Sequence, residues 1–99
     1  MKDLILIKLT NNQEIVAGLV RAGTDEITIK QPRFISYVPD GQGNFQTSLI
    51  PYSPIHPDGE YTLNTTTVLS VCIKGLPTVL EDMFASHTTG LEISSGLSK

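Results

Sequence analysis

Few side chains in this sequence are spaced for chemistry. His56, Asp58 and Glu60 alternate through the proline-rich stretch SPIHPDGE and could offer one imidazole and two carboxylates to a divalent metal. One imidazole beside two carboxylates on a loop is also what a solvated loop contains, and that is the simpler reading. The segment Pro39-Asp40-Gly41-Gln42-Gly43-Asn44 has the glycines of a phosphate cradle. It lacks the following helix and the Lys that such a cradle needs, so it reads as a hairpin tip. Ser48, Ser53, Ser70, His56 and His87 show no spacing of a nucleophile with its base. Cys72 is the single cysteine, which excludes an internal disulfide and a multi-cysteine metal centre. A non-catalytic protein without metal or cofactor is expected.

Whole-chain quantities point the same way. Ninety-nine residues make one domain with a modest core. A hydrophobic share of 39% and a mean hydropathy of +0.03 fit a globular protein. No apolar run approaches the roughly 20 residues that span a bilayer. Met1-Lys2 leads into a strand pattern rather than a signal peptide, so no membrane partner and a cytoplasmic location are expected. Seven Lys/Arg stand against ten Asp/Glu, a net charge of −3, which gives a single copy no general attraction for nucleic acid.

The stretch Leu4 to Val20, LILIKLTNNQEIVAGLV, organises the rest. Two apolar runs flank Thr10-Asn11-Asn12-Gln13, the pattern of a β-hairpin whose turn uses Asn in left-handed backbone. In the first strand, Leu4 to Leu9, Ile5, Ile7 and Leu9 share one face and Leu4 and Leu6 the other, so both faces need cover. The second strand, Glu14 to Arg21, contains Gly18, the mark of a bend or a close backbone approach. After a turn around Gly23, a third strand runs from Glu26 to Lys30, bends at Pro32 and resumes over Phe34 to Val38. The fourth is Phe45 to Tyr52, and Pro51, Pro54 and Pro57 forbid continued central pairing. Tyr61 to Leu63 can form a short strand, Asn64 to Thr67 a tight turn, and Val68 to Ile73 the fifth main strand.

That last strand, VLSVCI, is apolar on both faces and would be a hazard as an open edge. Its cover must come from the chain's own helix, a neighbouring copy, or both. The helix is expected over about residues 77–87, with Leu76, Val79, Leu80, Met83 and Phe84 in one apolar stripe. Thr78 and Glu81 suit a capping box, Pro77 the first turn, His87 the C-terminal end and Gly90 the stop. Residues 88–99 are expected to be a mobile tail, with Leu91 and Ile93 able to add a brief extended piece. The expectation is an all-β domain over residues 1–87 with one C-terminal helix.

Five strongly bent strands with a short turn before the last resemble the Sm-like family (Sm, LSm and Hfq-type proteins), a small open SH3-like barrel. Ile5, Ile7 and Leu9 match the opening of that family's first motif, Asn12 stands where a turn Gly is usual, and Ile15, Ala17 and Leu19 continue it. The second motif, an Arg-Gly turn before the last strand, falls on Asn64-Thr65 before Val68-Leu69-Ser70-Val71. A helix after the last strand is similar to small Sm-like proteins of marine phages. The likeness covers about Leu4 to Ile73. It implies a homo-oligomeric ring in which strand 45–52 of one copy pairs with strand 68–73 of the next. Of the residues with which family members hold uridine-rich RNA, none carries over: the Asp position falls at Gly23, the Asn position at Ile27, and Asn64 stands where Arg would be.

Two functions compete under that resemblance. A ring acting as an RNA or single-stranded DNA chaperone or processing accessory needs cations for phosphates and flat side chains for bases. Arg21, Lys30 and Asn64 near the expected pore loops, with Arg33, Phe34 and Tyr37 further along, are the candidates, and repetition around a ring would multiply weak contacts. Read singly, the cations are solvated strand ends and the aromatics core. The alternative is an oligomeric protein scaffold of the same fold that never touches nucleic acid, which the acidic balance favours.

Overall fold

Alternation along the first strand dictates two apolar layers, and the fold supplies both. The computed structural model describes residues 4–97, with side chains as far as Thr88. Six strands run β1 (Leu4–Leu9), β2 (Glu14–Ala22), β3 (Glu26–Pro39), β4 (Phe45–Pro51), β5 (Glu60–Asn64) and β6 (Val68–Cys72), followed by helix α1 (Thr78–Leu97). They form one antiparallel sheet in the order β4-β3-β2-β1-β6, with β5 also beside β3. The sheet is open rather than closed on itself. Its inner face buries Ile5, Ile7, Ile15, Ala17, Ile27 and Ile29. The opposite face buries Leu4, Val16 and Leu49 beneath Leu80 and Phe84 of α1.

Local chemistry explains the hairpin at the centre. Asn12 adopts a positive φ of 71°, which Asn tolerates better than most residues. Asn11 Oδ1 accepts from the Gln13 amide at 3.0 Å, and the Leu9 amide donates to the Gln13 carbonyl at 2.8 Å. Register slips beside Gly18, between Val16 and Gly18 and between Leu19 and Arg21, curl β2. The Lys30 side chain lies across Gly18, where a Cβ would come within 3.0 Å of its carbons. The expected bend and close approach coincide there. The turn at Gly23 closes through its amide, which donates to the Glu26 carbonyl at 2.8 Å.

Pro32 bends β3 without ending it, so 14 residues form one strand. Gln31, at φ 52°, makes the kink. The first half of β3 pairs with β5, from Glu26 opposite Asn64 to Lys30 opposite Glu60. The second half pairs with β4, from Arg33 opposite Pro51 to Pro39 opposite Phe45. The missing N–H of Pro32 falls where one partner strand gives way to the other, so no ladder bond is lost. Tyr61–Leu63 thus belongs to the short strand β5, as its residues suggested.

The helix also departs from expectation. The Leu80 and Glu81 amides donate to the Pro77 carbonyl, so the helix starts on Pro77 rather than through a Thr78–Glu81 box. Leu80 and Phe84 are buried, Leu76 and Met83 partly so, but Val79 is 66% exposed. The helix passes through Gly90 to Leu97, so His87 lies in mid-helix and Leu91 and Ile93 are helical rather than extended. Residues 98–99 of the expected tail lie outside the described residues. No helix among the described residues is long and apolar enough to cross a membrane.

Candidate functional site

The six residues singled out for nucleic acid divide into three groups. Arg21, Lys30 and Asn64 share the outward face of β2, β3 and β5, because Glu26, Thr28 and Lys30 alternate with the buried isoleucines and face Asn64, Thr62 and Glu60 across the ladder. Arg21 Nη2 donates to Thr28 Oγ1 at 3.4 Å, and that hydroxyl meets Thr62 Oγ1 at 3.0 Å. Two carboxylates, Glu26 and Glu60, stand on the same face, Glu60 directly opposite Lys30. Cations and anions are balanced there. The Asn64 carboxamide is committed to the one-turn 3-10 helix Thr65–Thr67, its Oδ1 accepting from the amide and hydroxyl of Thr66 at 3.0 Å each.

Phe34 and Tyr37 go elsewhere. Phe34 packs partly buried against Tyr52, ring centres 5.4 Å apart, so its face serves the core. Tyr37 is exposed and its hydroxyl donates to Glu14 Oε1 at 2.7 Å. That bond, with partial burial and the Glu14 charge, pushes the phenol up to about 12.

Arg33 is a correction. It is fully buried and cannot meet a phosphate. Its Nε donates to His87 Nδ1 at 2.8 Å, Nη1 to the carbonyls of Pro32 and Pro57, and Nη2 to Asp58 Oδ1 at 2.9 Å. One guanidinium thereby ties together the kink of β3, the proline-rich loop and the helix. Asp58 is engaged by Arg33, and the His56 ring stands edge-on to Tyr61, ring centres 6.5 Å apart. Alternation could have revealed this role. Arg33 shares its strand parity with Ile35, which faces the helix, so its side chain had to enter the same layer.

The hairpin tip behaves as read. Asp40 Oδ1 accepts from the amides of Gln42 and Asn44 at 2.7 and 3.3 Å, and Gly41 and Gly43 take positive φ. The loop's own carboxylate therefore occupies amides that a phosphate would need.

Apolar surface is what the described residues leave open. Along β6 and just beyond it, Leu69, Val71 and Ile73 are 61%, 38% and 64% exposed, and the edge away from β1 has no strand beside it. On β4, Phe45 and Ile50 are 70% and 46% exposed, again on an edge. Beneath the β6 edge a cavity of about 290 Å³ opens among Ile5, Leu19, Ile27, Val68, Val71 and Ile73. A second, of about 370 Å³, lies between the start of α1 and the β3–β4 hairpin, lined by Leu6, Ile35, Phe45 and Met83 among others. Such surfaces bind by burial and by backbone pairing. Compared with models of known protein families and with curated proteins, the chain matches none.

Proposed function

We propose that this protein is a non-catalytic scaffold, a small open barrel of Sm-like type whose copies join edge to edge. The observation that carries the reading is the pair of bare apolar sheet edges. Leu69, Val71 and Ile73 flank one, and Phe45 and Ile50 the other. Unpaired N–H and C=O groups beside apolar side chains are a template for another strand. If β6 of one copy pairs with β4 of the next, both edges are removed and the contact is head-to-tail, which closes as a ring when the rotation permits. The long bent β3, flanked by β4 and β5, and the one-turn helix before β6 support the barrel comparison.

Leu69→Lys tests the edge directly. A charge at an exposed edge position blocks strand addition while leaving the buried layers intact. Light scattering should give a higher mass for the wild type than for Leu69→Lys, with unchanged circular dichroism for both. Equal masses would contradict the pairing.

A second reading, a ring that holds RNA or single-stranded DNA, draws on Arg21, Lys30 and Asn64 sharing one outward face. The interleaved Glu26 and Glu60 weigh against it. Fluorescence anisotropy with U-rich and A-rich oligonucleotides at two salt concentrations separates the readings, because phosphate contacts weaken steeply as salt rises. The scaffold reading expects no salt-sensitive binding. Binding that falls with salt and is lost in an Arg21→Gln, Lys30→Gln double variant would establish the nucleic-acid role.

A further inference from the structure

Arg33 and His87 can both carry a positive charge, yet Arg33 Nε points at His87 Nδ1 from 2.8 Å. A guanidinium has no acceptor, so the bond exists only when Nδ1 keeps its lone pair. His87 is then neutral, with its proton on Nε2. Protonating Nδ1 sets two donors and two cations against each other. Arg33 cannot step aside: it is fully buried, and its other nitrogens are held by the Pro32 and Pro57 carbonyls and Asp58. His87 follows Phe84 by three residues, on the face of α1 that carries Leu80 and Phe84 onto Leu4, Val16 and Leu49. The helix is the element free to yield.

We propose that the Arg33–His87 contact is an acid-sensitive latch, which seats α1 on the sheet while His87 is neutral and releases it on protonation. Release would uncover the apolar layer formed by Leu4, Val16 and Leu49. The charged groups facing His87 among the described residues are Arg33 from β3 and Asp58 from the proline-rich loop. Burial, and then the Arg33 charge, pull its pKa below the ordinary 6.5, while Asp58 opposes them. The undocked imidazole therefore takes up a proton more readily than the docked one. The latch's contribution is fully present above pH 6.5 and is lost as pH falls from there towards the depressed value.

Amide hydrogen exchange tests this at one pH above 6.5 and one below it but above the carboxylate range, with rates corrected for intrinsic pH dependence. Amides of residues 80–88 should exchange several-fold faster at the lower pH, while those of β1 and β2 hold. His87→Asn, whose carboxamide oxygen can accept from Arg33 but cannot titrate, should abolish the difference, and His56→Asn should keep it. Acid sensitivity that survives in His87→Asn, helix amides indifferent to pH, or strands loosening together with the helix would overturn the latch. Should His87→Asn fail to fold, nitrogen NMR of the wild-type imidazole decides. An Nε2–H tautomer titrating below 6.5 upholds the proposal, and a midpoint at or above it refutes it.

Discussion

Arg33 decides how three segments of the chain meet, and its chemistry explains why it is buried. Each nitrogen of the guanidinium has a partner, so the cation enters the interior satisfied. Its one carboxylate, Asp58, has a side chain 45% exposed, so solvent screens the charge pair and the strength lies mainly in packing and carbonyl contacts. Arg33→Ala strands the Pro57 carbonyl and leaves a hole; a loss of about 2–4 kcal/mol in urea denaturation is expected. Arg33→Met refills the volume and should lose clearly less. A loss below about 0.5 kcal/mol for Arg33→Ala would mean that the network is incidental. The residue types announced a cation near an aromatic, Phe34. They did not announce that the cation faces inward, because that follows from which side of the kinked strand the helix covers.

At the scale of elements, much was legible because local pattern and tertiary demand agree. The β1–β2 hairpin, with Asn12 in left-handed backbone, is where its alternation and turn residues put it. So are the Asp40-capped tip and the apolar last strand. Two elements were not legible. Pro32 reads as a break, yet a proline at the changeover between two partner strands loses no hydrogen bond, so β3 runs on. Gly90 reads as a stop, yet a glycine costs an interior helix position only about 1 kcal/mol, which does not by itself end it. Just before it, Thr88 is buried and donates back to the Phe84 carbonyl at 2.9 Å, so its hydroxyl is satisfied inside the helix. The helix is a lid through Leu80 and Phe84, the latter fully buried. Phe84→Ala should cost about 3–5 kcal/mol in equilibrium unfolding. The exposed Val79→Ala should cost little, and similar losses for the two would contradict the observed orientation of the stripe.

For the molecule as a whole, the open sheet leaves free edges at β4, β5 and β6 among the described residues, and those of β4 and β6 carry exposed apolar residues. The sequence anticipated an apolar terminal strand in need of cover. The helix does not meet that need, since it seats on the face formed by Leu4, Val16 and Leu49 and leaves Leu69, Val71 and Ile73 bare. Ring geometry itself is not legible in one chain, because the rotation between copies depends on surfaces meeting across an interface. Native mass spectrometry of the wild-type protein at micromolar concentration tests self-association most directly. One dominant species at a fixed multiple of 10.8 kDa is expected, and a single 10.8 kDa species across the whole concentration range would contradict it.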